Sequence, residues 1–592
     1  MVDGKAFSTQ DNGMDRDWLK TRRALLKSAK DDVRRRLGED PADLKAYEFE
    51  AKKLSKRSYR VSSKSEILAE VETADIVYGG DFHAHGPAQR THFKILRHLA
   101  PERPVIVALE CFDPKTQKHL ELFLRGKLDA EALKKRTHWD ERWGFPFENY
   151  KAIIELAKRR GWRLEAIGTD KVESVGSGGL GRQDASTAKL LKAMMMKSPG
   201  ALIYVVIGEL HLSHLPERLA REFSSARGAR LREVAIHINT EAIYFQLAAK
   251  GLEHTVDVIR YKDPVRTKTK LVQTSVARVR ASASKLTRFC VLSSPPWVPW
   301  QSYLLHLDKS MELEWAGDGN ERESDDFDPT DHVLKFAEWI AADLGLRDVV
   351  AKNKTSDLAV YSASDAKLWR KTESSLTGAE LEIARRMLVK GRSFMMPAAG
   401  VGCLAQTTVN HASHLASEYL QMKASGRMRQ VWKFPQDFQA AILVEALSYF
   451  GSKQINHKRQ AETISDLRSE LQTIQPTDEG RDALRLALDQ RMSELVYFHQ
   501  GRRRKRLVKP LRSASYLEAA LILGRMMGER LYGAYRARKI LRREIASLFR
   551  TDVLRRDFGR QYDAITVKLA RAVGTEIAPS GLMPVKGRRE RL

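Results

Sequence analysis

From about Asp75 the chain alternates short, largely apolar runs with longer segments whose apolar residues recur at helical spacing. The short runs are Ile76–Tyr78, Val105–Leu109, Arg163–Ile167, Leu202–Ile207 and Val234–Ile238. Near-continuous apolar character over so few residues marks strands buried on both faces. Between them, Pro87–Leu99, Pro114–Leu124, Ala130–Lys135, Glu148–Arg159, Ala185–Met196 and Pro216–Phe223 carry helical periodicity. Three of these open on proline, which suits a first helical turn because its missing N–H has no partner there. Strands alternating with such helices predict an α/β core: a mainly parallel sheet flanked by helices. Val256–Tyr261 and Arg288–Ser293 add two strands, and Pro295–Trp300 reads as a stiff aromatic turn. Beyond Asp331 the pattern is mainly helical, over Thr377–Lys390, Cys403–Met422, Gln436–Ser452, Ala461–Leu471, Arg481–Phe498 and Tyr516–Phe549. One short strand is expected there, at Leu358–Tyr361.

These patterns divide the chain into four parts. Residues 1–70 form a basic helical N-terminal arm, 71–310 the α/β domain, 311–330 an acidic linker, and 331–592 a mainly α-helical C-terminal domain. Within the second part, Lys262–Lys285 is a basic loop rich in Ser and Thr.

Two of the strands end alike. Ile76–Tyr78 runs into Gly79-Gly80-Asp81-Phe82-His83, and Leu202–Ile207 into Gly208-Glu209-Leu210-His211. A third, Val105–Leu109, ends in Glu110. Parallel strands place equivalent ends on one side, and ligands bind at that edge of an open α/β sheet. The spacing therefore predicts that His83, His211 and Glu110 share one ligand. Imidazole with carboxylate suits iron, manganese or zinc, or, without metal, general-base chemistry by a histidine. A glycine three residues before each histidine lets the backbone turn tightly or approach a ligand closely.

Composition narrows the classes. At 592 residues the chain exceeds the ~250–300 residues at which single cores stop growing. No run approaches the ~20 apolar residues of a membrane span, and Met1–Asp40 shows neither a signal-peptide core nor a lipid-attachment cysteine. The three cysteines, Cys111, Cys290 and Cys403, form no CxxC, so neither a disulfide framework nor a zinc ribbon is expected. A cytoplasmic protein is the expectation. The net charge of +27 is spread along many helices. The densest run, Arg502–Arg506, could meet nucleic acid or an acidic membrane surface, but no nucleic-acid-binding motif accompanies it and it reads as a solvated loop.

The segment from about Ala74 to His214 resembles the ChaN-type haem-binding-uptake domain, a relative of the Tiki, TraB and erythromycin-esterase-like proteins. The residues that carry the resemblance are Gly80-Asp81-Phe82-His83, Leu109-Glu110-Cys111-Phe112, Gln117, Leu124-Arg125-Gly126, Trp139, Tyr150, Ala157 and Gly208-Glu209-Leu210-His211. The resemblance implies a protein that binds haem, iron or another divalent metal through the paired Gly-x-x-His motifs. His83, Glu110, Glu209, His211 and, as an anion-binding group, Arg182 would contact the ligand. Its more distant members imply the alternative, a metal-dependent or histidine-based hydrolase of peptidase or esterase type, with His83, Glu110 and His211 as its catalytic groups. The chain departs from the pattern in three places. Asp81 stands where Glu is usual, Arg182-Gln183-Asp184 has one residue inside the expected Arg-Asp pair, and no export signal precedes the domain.

Two further motifs are set aside. Gly176–Gly181 fits G-x-G-x-x-G but begins too far beyond its strand to cradle a dinucleotide, and reads as a rim loop. His411, His414 and Glu418 share one face of a helical segment, an arrangement open to a second metal or haem contact but more usual in a hydrogen-bonded core.

Overall fold

The structure is a computed structural model. It describes residues 12–575 apart from 39–41, 101, 169–178, 224–230, 263–283, 317–327, 351–357, 364, 366–367, 369, 371–372, 375, 377, 397–398, 428–437, 474–478, 501–512 and 555–557. Most of the basic loop 262–285, most of the acidic linker, the arginine run 502–506 and the first half of Gly176–Gly181 therefore lie outside the described residues. The chain divides into two compact units, Met1–His306 and Leu307–Leu592.

The first unit is built on eight strands: β1 (Tyr59–Val61), β2 (Ile76–Asp81), β3 (Val105–Leu109), β4 (Arg163–Ala166), β5 (Leu202–Gly208), β6 (Leu231–Ile238), β7 (Val258–Tyr261) and β8 (Ser284–Val291). Their order is β1-β7-β8-β6-β2-β5-β3-β4. The six strands from β8 to β4 are parallel, while β7 and β1 add antiparallel at one edge. The expected mainly parallel sheet is thus present.

Side chains alternate strictly across it. Leu202, Tyr204 and Val206 of β5 join one buried cluster with helices Gly86–His98 and Glu148–Arg160. Ile203, Val205 and Ile207 join another with helices Gly179–Lys197 and Leu215–Glu222. Both faces are dry, which is why these strands read as continuous apolar runs.

Three local expectations need correction. The short strand β1 lies inside the arm expected to be helical, after helices Asn12–Leu37 and Ala42–Ser55; three residues are too few to show a period. Pro295–Trp300 is no simple turn, because Trp297 begins a helix that runs to Ala316. Pro299 is tolerated there since its missing N–H falls in the first turn. Tyr516–Phe549 is two helices, Ala514–Arg536 and Arg542–Phe549, parted where Arg538 takes a left-handed φ of 56°.

The second unit is mainly helical. It also holds a small sheet of β9 (Ala359–Ser362), β10 (Phe394–Met396) and β11 (Val401–Leu404), in the order β10-β11-β9. Only β9 is anticipated by the sequence. β10 and β11 hold three and four residues, below the length at which alternation is legible. The helix expected from Cys403 starts at Val409, where the Thr408 side chain accepts from the His411 N–H and caps it.

Gly168, just beyond β4, ties the ends of β3 and β4 together by donating its N–H to the Phe112 carbonyl at 2.8 Å. A Cβ at this position would collide with the backbone carbonyl oxygens of Glu110 and Phe112. Backbone cannot step aside as a side chain can. Gly168→Ala is therefore expected to lower stability by about 3 kcal/mol, read from the urea midpoint; an unchanged midpoint would contradict this packing.

Candidate functional site

The register of the sheet sets the site. β2 and β5 pair with Asp81 opposite Gly208, and β3 pairs with β5 so that Leu109 lies beside Val206. The three strand ends are level, and the residues that follow each one arrive at the same edge.

There the structure brings together all three residues singled out by spacing. His211 Nε2 lies 3.5 Å from one Glu110 oxygen, and His83 Nε2 lies 3.9 Å from the other. The opposite nitrogen of each ring is held by a buried aspartate. His83 Nδ1–H donates to Asp81 Oδ2 at 3.1 Å, and His211 Nδ1–H donates to Asp184 Oδ1 at 2.7 Å. Each aspartate is fixed in turn by a tyrosine hydroxyl, Tyr150 on Asp81 and Tyr47 on Asp184, the latter at 2.5 Å. Gln89 also donates to Asp81, and the Arg218 guanidinium lies 3.9 Å from Asp184. Two carboxylate–imidazole pairs thus present their Nε2 atoms toward one glutamate. A carboxylate on one ring nitrogen selects the tautomer and orientation of the other, as in the supporting contacts of metal-bound histidines.

Glu110 is buried and fully engaged. One oxygen accepts the Gly208 N–H at 2.7 Å, and the other accepts from Gln183. Gly208 lies directly beneath both rings: a Cβ there would stand 3.4 Å from His83 and from His211, in van der Waals contact with each. A Cβ on Gly80 would strike the Glu209 carboxylate. That carboxylate accepts from His237 Nδ1 at 2.7 Å and from the Ile238 N–H at 3.1 Å. Glu209, expected among the ligand contacts, is therefore bonded to β6. Arg182, expected as an anion-binding group, is exposed, while its successors Gln183 and Asp184 are buried in the site.

Protonation follows from these contacts. Burial disfavours a charged His211, but hydrogen bonds to Asp184 and Glu110 outweigh it and raise its pKa to about 10. His83 is raised as well: burial opposes, and the hydrogen bond and charge of Asp81, with the charge of Glu110, prevail. Glu110 is held down at about 2 by His211 and His83 in spite of its burial. The Cys111 thiol next to it is pushed well above its usual range by burial and by the charges of Asp81 and Glu110. His85 is driven to about 3 by burial and Arg90, and bonds to Ser294 Oγ at 2.8 Å.

The two imidazoles differ in access. His211 is buried, whereas the His83 side chain keeps 26% of its surface. His83 opens onto aromatic rings, Trp143 at 4.5 Å and Phe145 at 5.2 Å between ring centres. Phe145 continues the rim to His306 at 4.8 Å and Tyr303 at 6.1 Å. All of these rings are partly exposed.

Sequence reasoning missed several of these groups. Tyr47, Gln89 and the aromatic rim carry no local signal, and Asp184 is visible only as the acid of a displaced Arg-Asp pair, with no role attached. Tyr47 and Asp184 are 137 residues apart, so only the fold could join them. The second histidine group does not converge: His411 bonds Ser393 at 3.0 Å and His414 reaches Glu445 at 3.3 Å. Burial, only partly offset by Arg427, raises Glu418 to about 8. Among the described residues, no set of three His, Cys, Asp or Glu side chains is preformed to hold a metal ion.

Residues 67–227 match the model of a protein family described as haem-binding uptake, Tiki superfamily, ChaN. The match covers about a quarter of the chain and every residue of the site except Tyr47 and the rim from Tyr303 onward. No curated protein and no solved structure matches the chain.

The Asp184 contact can be read directly. In the unliganded protein the His211 ring is expected to stay protonated through neutral pH, and Asp184→Asn to bring its titration down, both followed by NMR of the ring nitrogens. Because the folded value is raised, this pair's contribution to stability is complete below the free-imidazole value of ~6.5. It is lost as pH climbs through about 10. A His211 that titrates near 6.5 in both proteins would contradict the geometry.

Proposed function

We propose that the ChaN-type domain over residues 67–227 binds haem or its iron at the carboxyl edge of the sheet, with His83 as the contact nearest the ligand. One observation carries the reading: a carboxylate-held imidazole, His83, opens onto a partly exposed aromatic rim while its partner His211 stays buried behind Glu110. Haem iron asks the protein for an axial side chain and an apolar pocket. His83 with Trp143 and Phe145 supplies an imidazole beside aromatic rings, whereas a divalent metal caged by protein alone needs three or four converging ligands.

In this reading Asp81 and Tyr150 fix the His83 tautomer, and Glu110 balances charge around both rings. Bound haem would supply the iron and its redox or transport chemistry. The chain's own part is to orient Nε2 and to give up a proton from it. A raised imidazole pKa makes that proton costly, so affinity should rise with pH. The ligand is thus a small molecule. A cytoplasmic location belongs to the same proposal: all three cysteines are buried and unpaired, as a reducing compartment would leave them. Among the described residues no helix is long and apolar enough to cross a membrane.

The second reading, hydrolysis, rests on the Asp81–His83 pair acting as a general base on water, with or without a divalent metal held by His83, Glu110 and His211. The two readings part under substitution. Titration of hemin into the purified protein, followed at the Soret band, should give saturable binding. His83→Ala should weaken it by about 100-fold and Asp81→Asn by about 10–100-fold, with Glu110→Gln milder. Unchanged hemin affinity in His83→Ala would overturn the haem reading. Ester or peptide hydrolysis lost in both His83→Ala and Glu110→Gln would establish the second.

A further inference from the structure

In the second unit, helices Phe438–Ile455 and Ala514–Arg536 pack backbone against backbone. Gly524 and Gly528 permit it: a Cβ on Gly524 would collide with the Glu445 side chain, and one on Gly528 would sit 2.5 Å from the Ala446 carbonyl oxygen. Such close seams are ordinarily apolar. This one is charged. Glu518, Arg525 and Glu529 fall at i, i+7 and i+11, on one helical face. Glu445, Tyr449, Ser452 and Lys453 make a matching row on the other helix.

Most of these charges are paired. Arg525 takes Glu462 through two nitrogens at 3.0 and 2.6 Å, and Arg392 takes Glu518 at 2.9 Å. His414 stands 3.3 Å from Glu445, and Lys453 meets Glu529, which also accepts from the Tyr449 hydroxyl at 3.1 Å. The pairing leaves a remainder. Arg459 lies 4.5 Å above the Tyr449 ring and donates to Ser452 Oγ at 2.5 Å, with no carboxylate among the described residues. Among the described residues, Nη1 of Arg525, which is only 5% exposed, and Nε of Arg392 have no hydrogen-bond partner. His414, 8% exposed, has a free Nδ1.

These groups share one neighbourhood. Arg459 closes the turn after helix Phe438–Ile455 and Glu462 lies three residues on, Glu462 grips Arg525, and Arg525 follows the Gly524 that Glu445 packs upon. The electrostatics agree: burial, followed by the charges of Arg459, His414 and Arg392, drives His411 down to about 3. Buried N–H groups left without acceptors cost on the order of 1–3 kcal/mol each, and an unneutralised guanidinium adds to that. Free donors around an uncompensated cation call for an anion with several acceptor oxygens, and arginine forks match the oxygens of a phosphate.

We propose that Arg459, with the free nitrogens of Arg525 and Arg392, holds a small phosphate oxyanion, either inorganic phosphate or the phosphate of a phosphomonoester.

The test uses the full chain. Its melting temperature is followed while inorganic phosphate, or glycerol 2-phosphate in a parallel arm, replaces chloride at constant ionic strength. A saturable rise with either compound is expected, and the arm that saturates at lower concentration identifies the source. Arg459→Gln should weaken the half-saturating concentration by about tenfold or more. Arg459→Lys keeps the charge but loses the fork; it should fold like the parent and still bind less tightly. No saturable rise with either compound, or half-saturation unchanged in Arg459→Lys, would overturn the proposal. Because hemin is absent throughout, the outcome is independent of the His83 site.

Discussion

The Glu110 carboxylate is the constraint on which the sheet edge depends. It is a buried charge, tolerable only when its lone pairs and its field are both answered. The Gly208 N–H and Gln183 answer the lone pairs, and the two imidazoles answer the field. That demand explains why both histidines turn Nε2 inward and why each needs an aspartate behind it. Asp81 and Asp184 then require donors of their own, which draws in Tyr150, Gln89 and Tyr47. A single carboxylate at the end of β3 thereby ties together β2, β3, β5, three covering helices and the N-terminal arm.

The sheet itself was legible because parallel strands buried on both faces write themselves as apolar runs. Five core strands fall within a few residues of the expected runs, and the histidine pair could be placed because strand ends in a parallel sheet share one side. Legibility failed where length or distance removed the signal. β1, β10 and β11 are too short to show alternation, and Trp297–Ala316 hides behind prolines that look like a breaker but fill a first turn. The departure Arg182-Gln183-Asp184 is instructive: the inserted residue puts Gln183 on Glu110 and Asp184 on His211, and leaves Arg182 outside. A pattern match weighs the arginine; burial weighs its neighbours.

The N-terminal arm is the other lesson. Expected only as a basic helical arm, it brings Tyr47 against His214 with ring centres 4.4 Å apart, and Tyr47 donates to Asp184. The arm lies outside the segment that matches the family model, yet it supplies a residue of the site. Likewise Trp300, Tyr303 and His306 bring rings to the His83 side from beyond the matched residues. The matched segment holds the inner imidazole pair, and residues outside it shape the entrance.

Iron-edge anomalous diffraction from crystals grown with hemin tests the account most directly. The account predicts an iron peak within bonding distance of His83 Nε2, the porphyrin lying against Trp143 and Phe145, and His211 still on Asp184. An iron peak ligated by a side chain elsewhere, with the His83 ring unmoved and its rim empty, would contradict it.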